Sequence, residues 1–177
     1  MTSVWSILCN CTIFAFQISE GCFYTKSKFK YILYLFVFAL ISEIPYDLCF
    51  YGKVFEFSDQ NVLWVLAFGA LAISGIDKCN KNPFISILIT FITMVICVWL
   101  NLDYSSMGIA TIICFYYFRD KRWKQLLFTL LVFVITNFTY YMHRFCFDGF
   151  TIAEMFASEA FWENIVIELH GLAAWPL

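Results

Sequence analysis

Charge is scarce in this chain: only 14% of its 177 residues are Asp, Glu, Lys or Arg, and the formal net charge is −2. A balance that small gives no pull toward an acidic partner. A basic patch with interleaved aromatics and a zinc-knuckle spacing are both missing, which sets nucleic acid aside as a partner. Eight cysteines are present, yet no C-x-x-C occurs, and Cys9, Cys22, Cys97 and Cys114 lie within apolar runs. They read as small core hydrophobes, and no metal is expected. The amino end lacks the basic flank and small-residue cleavage site of a secretory signal, so its apolar run reads as a retained helix. Without an internal repeat or a Pro/Gly/Ser-rich linker to divide it, the chain reads as a single domain over 1–177.

What is abundant is apolar surface. Hydrophobic residues make up 62% of the chain and aromatic residues 21%, with a mean hydropathy of +0.78, more than one soluble domain of this size can cover. The fold class expected is all-α, a polytopic transmembrane helix bundle. Seven apolar segments stand out: Ser3–Cys22, Tyr31–Tyr51, Val62–Ile76, Pro83–Leu100, Tyr104–Phe118, Gln125–Met142 and Phe161–Leu177. The third and fifth are short for a span. Lys26, Lys28, Lys30, Lys78, Lys81, Arg119, Lys121, Arg122 and Lys124 fall in alternate connections, whereas Lys53 and Arg144 fall in the others. The excess of basic residues in cytoplasmic loops then puts the amino end outside and the carboxyl end in the cytoplasm. Dropping one span would mix the two kinds of loop, which argues that the short segments are spans too.

The second segment carries the costliest residues. Glu43 and Asp47 interrupt an otherwise apolar run, and an ionised carboxylate near the bilayer centre costs at least ~2.5 kcal/mol. Four residues apart, they share one helical face. Pro45 between them removes the donor that would bond Ile41, freeing a carbonyl and bending the helix. A polar pocket wall is one reading; acids close enough to the helix end to reach headgroup water is the other. Asn61, Asp103, Tyr104 and His143 come to the same depth, each with an ordinary explanation as cap, turn or interface residue. Together they suggest an acidic pocket opening outward. At the inner end, Gln17, Glu20 and Tyr24 form one polar stripe, which reads as a helix–helix hydrogen bond or as part of a site. The basic cluster Arg119, Lys121, Arg122 and Lys124 suits the phosphates of a nucleotide-bearing cofactor, and equally suits a cytoplasmic loop beside anionic lipid. His170, within the last apolar segment, is a candidate base or nucleophile as well as a bundle hydrogen-bonder.

Several strings in this order, F-A-F-Q-I-S-E-G-C-F-Y-T (14–25), F-A-L-I-S-E-I-P-Y-D (38–47), Q-N-V-L-W (60–64) and D-Y-S-S-M-G (103–108), resemble the TraX family of bacterial membrane proteins. That resemblance implies a multi-pass protein of the cell (inner) membrane related to acyltransferases that use acetyl-CoA. The founding member is associated with N-terminal acetylation of conjugative pilin. Glu20, Thr25, Glu43, Pro45, Asp47, Asn61, Asp103 and Tyr104 stand at the family's pattern positions. Glu43, Asp47 and His170 are the catalytic candidates, with Glu20, Asn61, Asp103 and Tyr104 toward the acceptor and Arg119, Lys121, Arg122 and Lys124 toward acetyl-CoA. The partners expected are the lipid bilayer and a protein or glycan acceptor. The family pattern also has an amino-terminal helix with an Asp-His pair and a Tyr-Asn-Gly continuation after H-G-L-A-A-W-P-L. Both are missing here, so either a fragment lacking a helix at each end or a degenerate copy is expected, inactive as given if the Asp-His pair supplies the family's base. On the residues alone, a transporter or channel lined by the same acids is the alternative.

Overall fold

The computed structural model describes residues 4–54, 56–57, 60–80, 82–102, 105–132, 134–135, 151 and 153–154, with side chains from residue 13 onward except at 105. Five helices follow one another: α1 (Val4–Tyr24), α2 (Lys28–Phe50), α3 (Val62–Lys78), α4 (Pro83–Trp99) and α5 (Ser105–Tyr117). A sixth helical run, α6, covers 122–132. The described residues contain no strand, only an isolated bridge between Gln60 and Leu102.

The helix ends are written in the sequence. Asn61 and Asn82 cap α3 and α4, their side chains accepting the Leu63 and Phe84 N–H at 2.9 and 3.1 Å, and Pro83 occupies the first turn of α4, where a missing donor costs nothing. At the opposite ends, α2, α3 and α4 each stop two residues before a left-handed position, Gly52 (φ 65°), Asn80 (φ 52°) and Asn101 (φ 50°). Glycine and asparagine tolerate that conformation best.

Helix α3 is central and packs on α1, α2, α4 and α5. It can do so because small residues line it. Ala67, Gly69, Ala70 and Ala72 are buried alongside Val65, Leu66, Ile73 and Ile76, and a side chain at Gly69 would sit 2.5 Å from Ile112 Cδ1 of α5. Small residues that let backbones close up are the usual glue where lipid, not water, surrounds a bundle. The outward faces are apolar instead. On α2, Phe38, Leu40 and Ile41 are 63, 64 and 59% exposed, and on α4 Ile87 and Phe91 are 70 and 63% exposed, large apolar side chains of the kind that mark a surface made to be covered.

By length and composition, α2 with its 23 residues is the one described helix able to cross a membrane. Helices α3 and α4 have 17 residues each and α5 has 13. At 1.5 Å per residue, 17 residues give about 25 Å, short of a core of roughly 30 Å. The first five expected segments coincide with helices to within three residues at either end, and the sixth overlaps α6. The seventh lies outside the described residues.

Candidate functional site

Contacts between the helix ends sort the polar residues into two groups. One gathers where α2 finishes and α3 begins, the other where α1, α3 and α5 finish and α2 begins. From Asn61 to Asp77 they are about 24 Å apart along α3.

At the first end, the Asn61 amide does two jobs. Its oxygen caps α3 through the Leu63 N–H, which fixes the amide orientation and turns Nδ2 toward α2. From there it donates to Glu43 Oε2 and, at 3.1 Å, to the Ala39 carbonyl. Trp64 Nε1 donates to the same Glu43 oxygen at 2.7 Å. Asp47, only 1% exposed, accepts the Glu56 backbone N–H on Oδ2 at 2.9 Å. Each carboxyl therefore has one oxygen held by neutral donors. The second oxygen of each, Glu43 Oε1 and Asp47 Oδ1, is buried without a hydrogen-bond partner. Among the described residues no basic side chain pairs with either acid; nearby Lys53 bonds Glu56 at 2.6 Å instead, and that bond raises its pKa. Helix α2 continues through Pro45 without a break.

A buried carboxyl oxygen is costly unless a donor or a proton meets it. Two of them on one helical face, with their partner oxygens clamped, leave acceptor positions whose orientation is set in advance. Such groups can take a proton from a bound acceptor or hold a cation.

The second end is arranged oppositely. Arg119, in the turn after α5, forks onto Glu20 with Nε–Oε1 at 2.7 Å and Nη2–Oε2 at 3.2 Å, and gives a further bond to the Tyr24 hydroxyl at 2.8 Å. Its guanidinium lies 3.4 Å from the Phe23 ring centroid. Bonding to Glu20 raises the Arg119 pKa further. Lys28 and the Tyr116 hydroxyl share the Asp77 carboxylate. Arg119, which the sequence assigned to cofactor phosphates, thus has its fork occupied by Glu20, while Lys121, Arg122 and Lys124 are exposed. The polar stripe of α1 is a helix-to-turn contact through Glu20 and Tyr24, and Gln17 stays exposed.

Of the residues singled out from sequence, Glu43, Asp47 and Asn61 come together; Glu20 sits at the far end with Arg119. Asp103, Tyr104, His143 and His170 lie outside the described residues. Cys22, Cys97 and Cys114 are buried and Cys49 is exposed, all as free thiols. No group of three or more metal-ligating side chains occurs among the described residues. Trp64 was missed as a contributor although it follows Asn61 by three residues, the spacing that puts two side chains on one helical face. Asp77 was missed as well, and its signal was an acid closing an apolar helix.

A family model described as TraX protein matches residues 11–173. No curated protein and no solved structure matches the chain.

Proposed function

Because the chain belongs to the TraX protein family, we propose that it is an integral membrane acetyltransferase with its amino end outside, moving an acetyl group from acetyl-CoA to an acceptor amine or hydroxyl. The observation that carries the reading is the pair Glu43 and Asp47, each with one oxygen clamped and the other buried and unpartnered. Attack on an acetyl thioester needs the acceptor's proton removed as the new bond forms. A carboxylate oxygen already stripped of donors is a suitable general base. Asn61 and Trp64 hold Glu43 in position, and the coenzyme leaves as its thiolate. Acetyl-CoA is placed at the basic end by Lys121, Arg122 and Lys124, whose charges suit its phosphates. Since the ends are about 24 Å apart, its thioester must reach along the bundle toward the acids.

The test is transfer of labelled acetyl from acetyl-CoA by purified protein, with Glu43→Gln and Asp47→Asn as controls. Transfer that depends on both acids supports the reading. Acid-dependent cation flux in proteoliposomes without any acetyl transfer would identify a transporter instead. Orientation is checked separately: an impermeant thiol reagent on intact cells should modify a single cysteine at position 105 and spare one at 121, and the reverse pattern would invert the topology.

A further inference from the structure

Between α2 and α3, at the basic end, lies a cleft of about 560 Å³, within the usual size of a small-molecule site. Its walls are greasy: Phe29, Ile32, Leu33 and Phe36 come from α2 and Leu71 from α3. Lys28, Asp77 and Lys78, at the start of α2 and the end of α3, supply the polar rim. Lys28 is tied to Asp77, whereas Lys78 is exposed and pairs with no acid among the described residues. Two lysines against one aspartate leave the rim with one positive charge to spare.

The cleft opens sideways. Phe29, Leu33 and Leu71 are 77, 49 and 47% exposed, and the α2 wall runs on into the exposed flank of Val37, Phe38 and Ile41. A ligand here meets a long apolar slot that faces outward from the bundle, with a net cationic rim at its basic end. An anionic phospholipid matches both: an acyl chain along Leu33, Phe36 and Leu71, and a phosphodiester at Lys78 with the remaining Lys28 donors. Basic pockets between membrane helices are known to take such head groups.

We propose that this cleft is a binding site for one anionic phospholipid of the leaflet on the basic side. The inference rests on the membrane reading of the bundle and is independent of acetyl transfer, so its test measures lipid and not activity. Purified full chain in detergent is titrated with short-chain phosphatidylglycerol, with phosphatidylcholine and with glycerol phosphate, following melting temperature and retained lipid by native mass spectrometry. Phosphatidylglycerol should raise the melting temperature and leave one molecule bound, and the other two should not. Lys78→Gln should weaken phosphatidylglycerol binding about fivefold, the effect of one lysine near an anionic head group. Ser74→Phe, at the cleft wall, should abolish binding; if that variant does not fold, Lys78→Gln decides alone. Equal effects of phosphatidylcholine, unchanged affinity in Lys78→Gln, or a full effect from glycerol phosphate would overturn the proposal. Displacement of the lipid by coenzyme A would overturn it too, assigning the cleft to the acetyl donor.

Discussion

The two ends of α3 hold acids in contrasting company. At the basic end, Glu20 faces a forked Arg119, and Asp77 is shared between Lys28 and Tyr116. These acids have cationic partners, and their arrangement ties α1, α2, α3 and α5 together. At the other end, Glu43 and Asp47 are held by an amide, an indole and a backbone N–H, with one oxygen each left over. Removing an acid with a cationic partner strands a charge, whereas removing one held by neutral donors strands only N–H groups. Acids that stabilise and acids that are kept at a cost can therefore be told apart by what surrounds them.

The contrast is sharpest if activity and stability respond separately. Glu43→Gln keeps an oxygen to accept from Trp64 and Asn61, so the melting temperature should hold or rise while acetyl transfer falls ~10²–10⁴-fold, the range for loss of a general base. Next in size, Asp77→Ala leaves Lys28 and Tyr116 without their shared acceptor. It should cost about 1–3 kcal/mol in denaturant unfolding, a range that allows for the pair's partial exposure. Trp64→Phe keeps the ring contact with Phe36 but removes one donor to Glu43, which should cost about 0.5–1.5 kcal/mol in the same assay. Smallest of all, Lys53→Ala should leave the melting temperature unchanged at neutral pH, because the lysine of the Lys53–Glu56 pair is exposed to solvent. The sign of its pH dependence follows from a raised lysine pKa. Any contribution is complete below the usual lysine value of about 10.4 and disappears only above the raised one.

Much of the scaffold was legible in the residues. Long apolar runs, Asn61 and Asn82 before two of them, and Gly52, Asn80 and Asn101 after three set the helix boundaries by local chemistry that any reader of the chain can apply. Glu43 and Asp47 stood out because an acid in an apolar run has few cheap explanations. Their donors did not. Asn61 and Trp64 lie 18 and 21 residues from Glu43 in sequence, and the choice of donors is made by how α2 lies on α3. Arg119 and Glu20, 99 residues apart, show the same limit more strongly. The basic cluster suited phosphates because composition does not reveal that one of its members closes a helix-to-turn contact. Asn61 shows why a cap reading and a site reading need not compete: the cap consumes the oxygen and leaves the nitrogen for Glu43.

The membrane reading proposed above bears on the energetics as well. Gly69 and its alanine neighbours let α3 close on Ile112, while Phe38, Ile41, Ile87 and Phe91 stay exposed on the outer faces. On that reading the driving force for association is close packing rather than water exclusion. Polar contacts such as Glu20–Arg119 and Lys28–Asp77 would correspondingly carry more of the specificity.

The most direct test of the contrast between the two ends measures acetyl transfer and melting temperature on the same preparations of wild type, Glu43→Gln and Asp77→Asn. The account predicts a crossed pattern: Glu43→Gln melts no lower than wild type and has lost transfer, while Asp77→Asn melts lower and, below its melting point, still transfers. If Glu43→Gln melts lower yet transfers at the wild-type rate, the acids of α2 are structural and the proposed site is wrong.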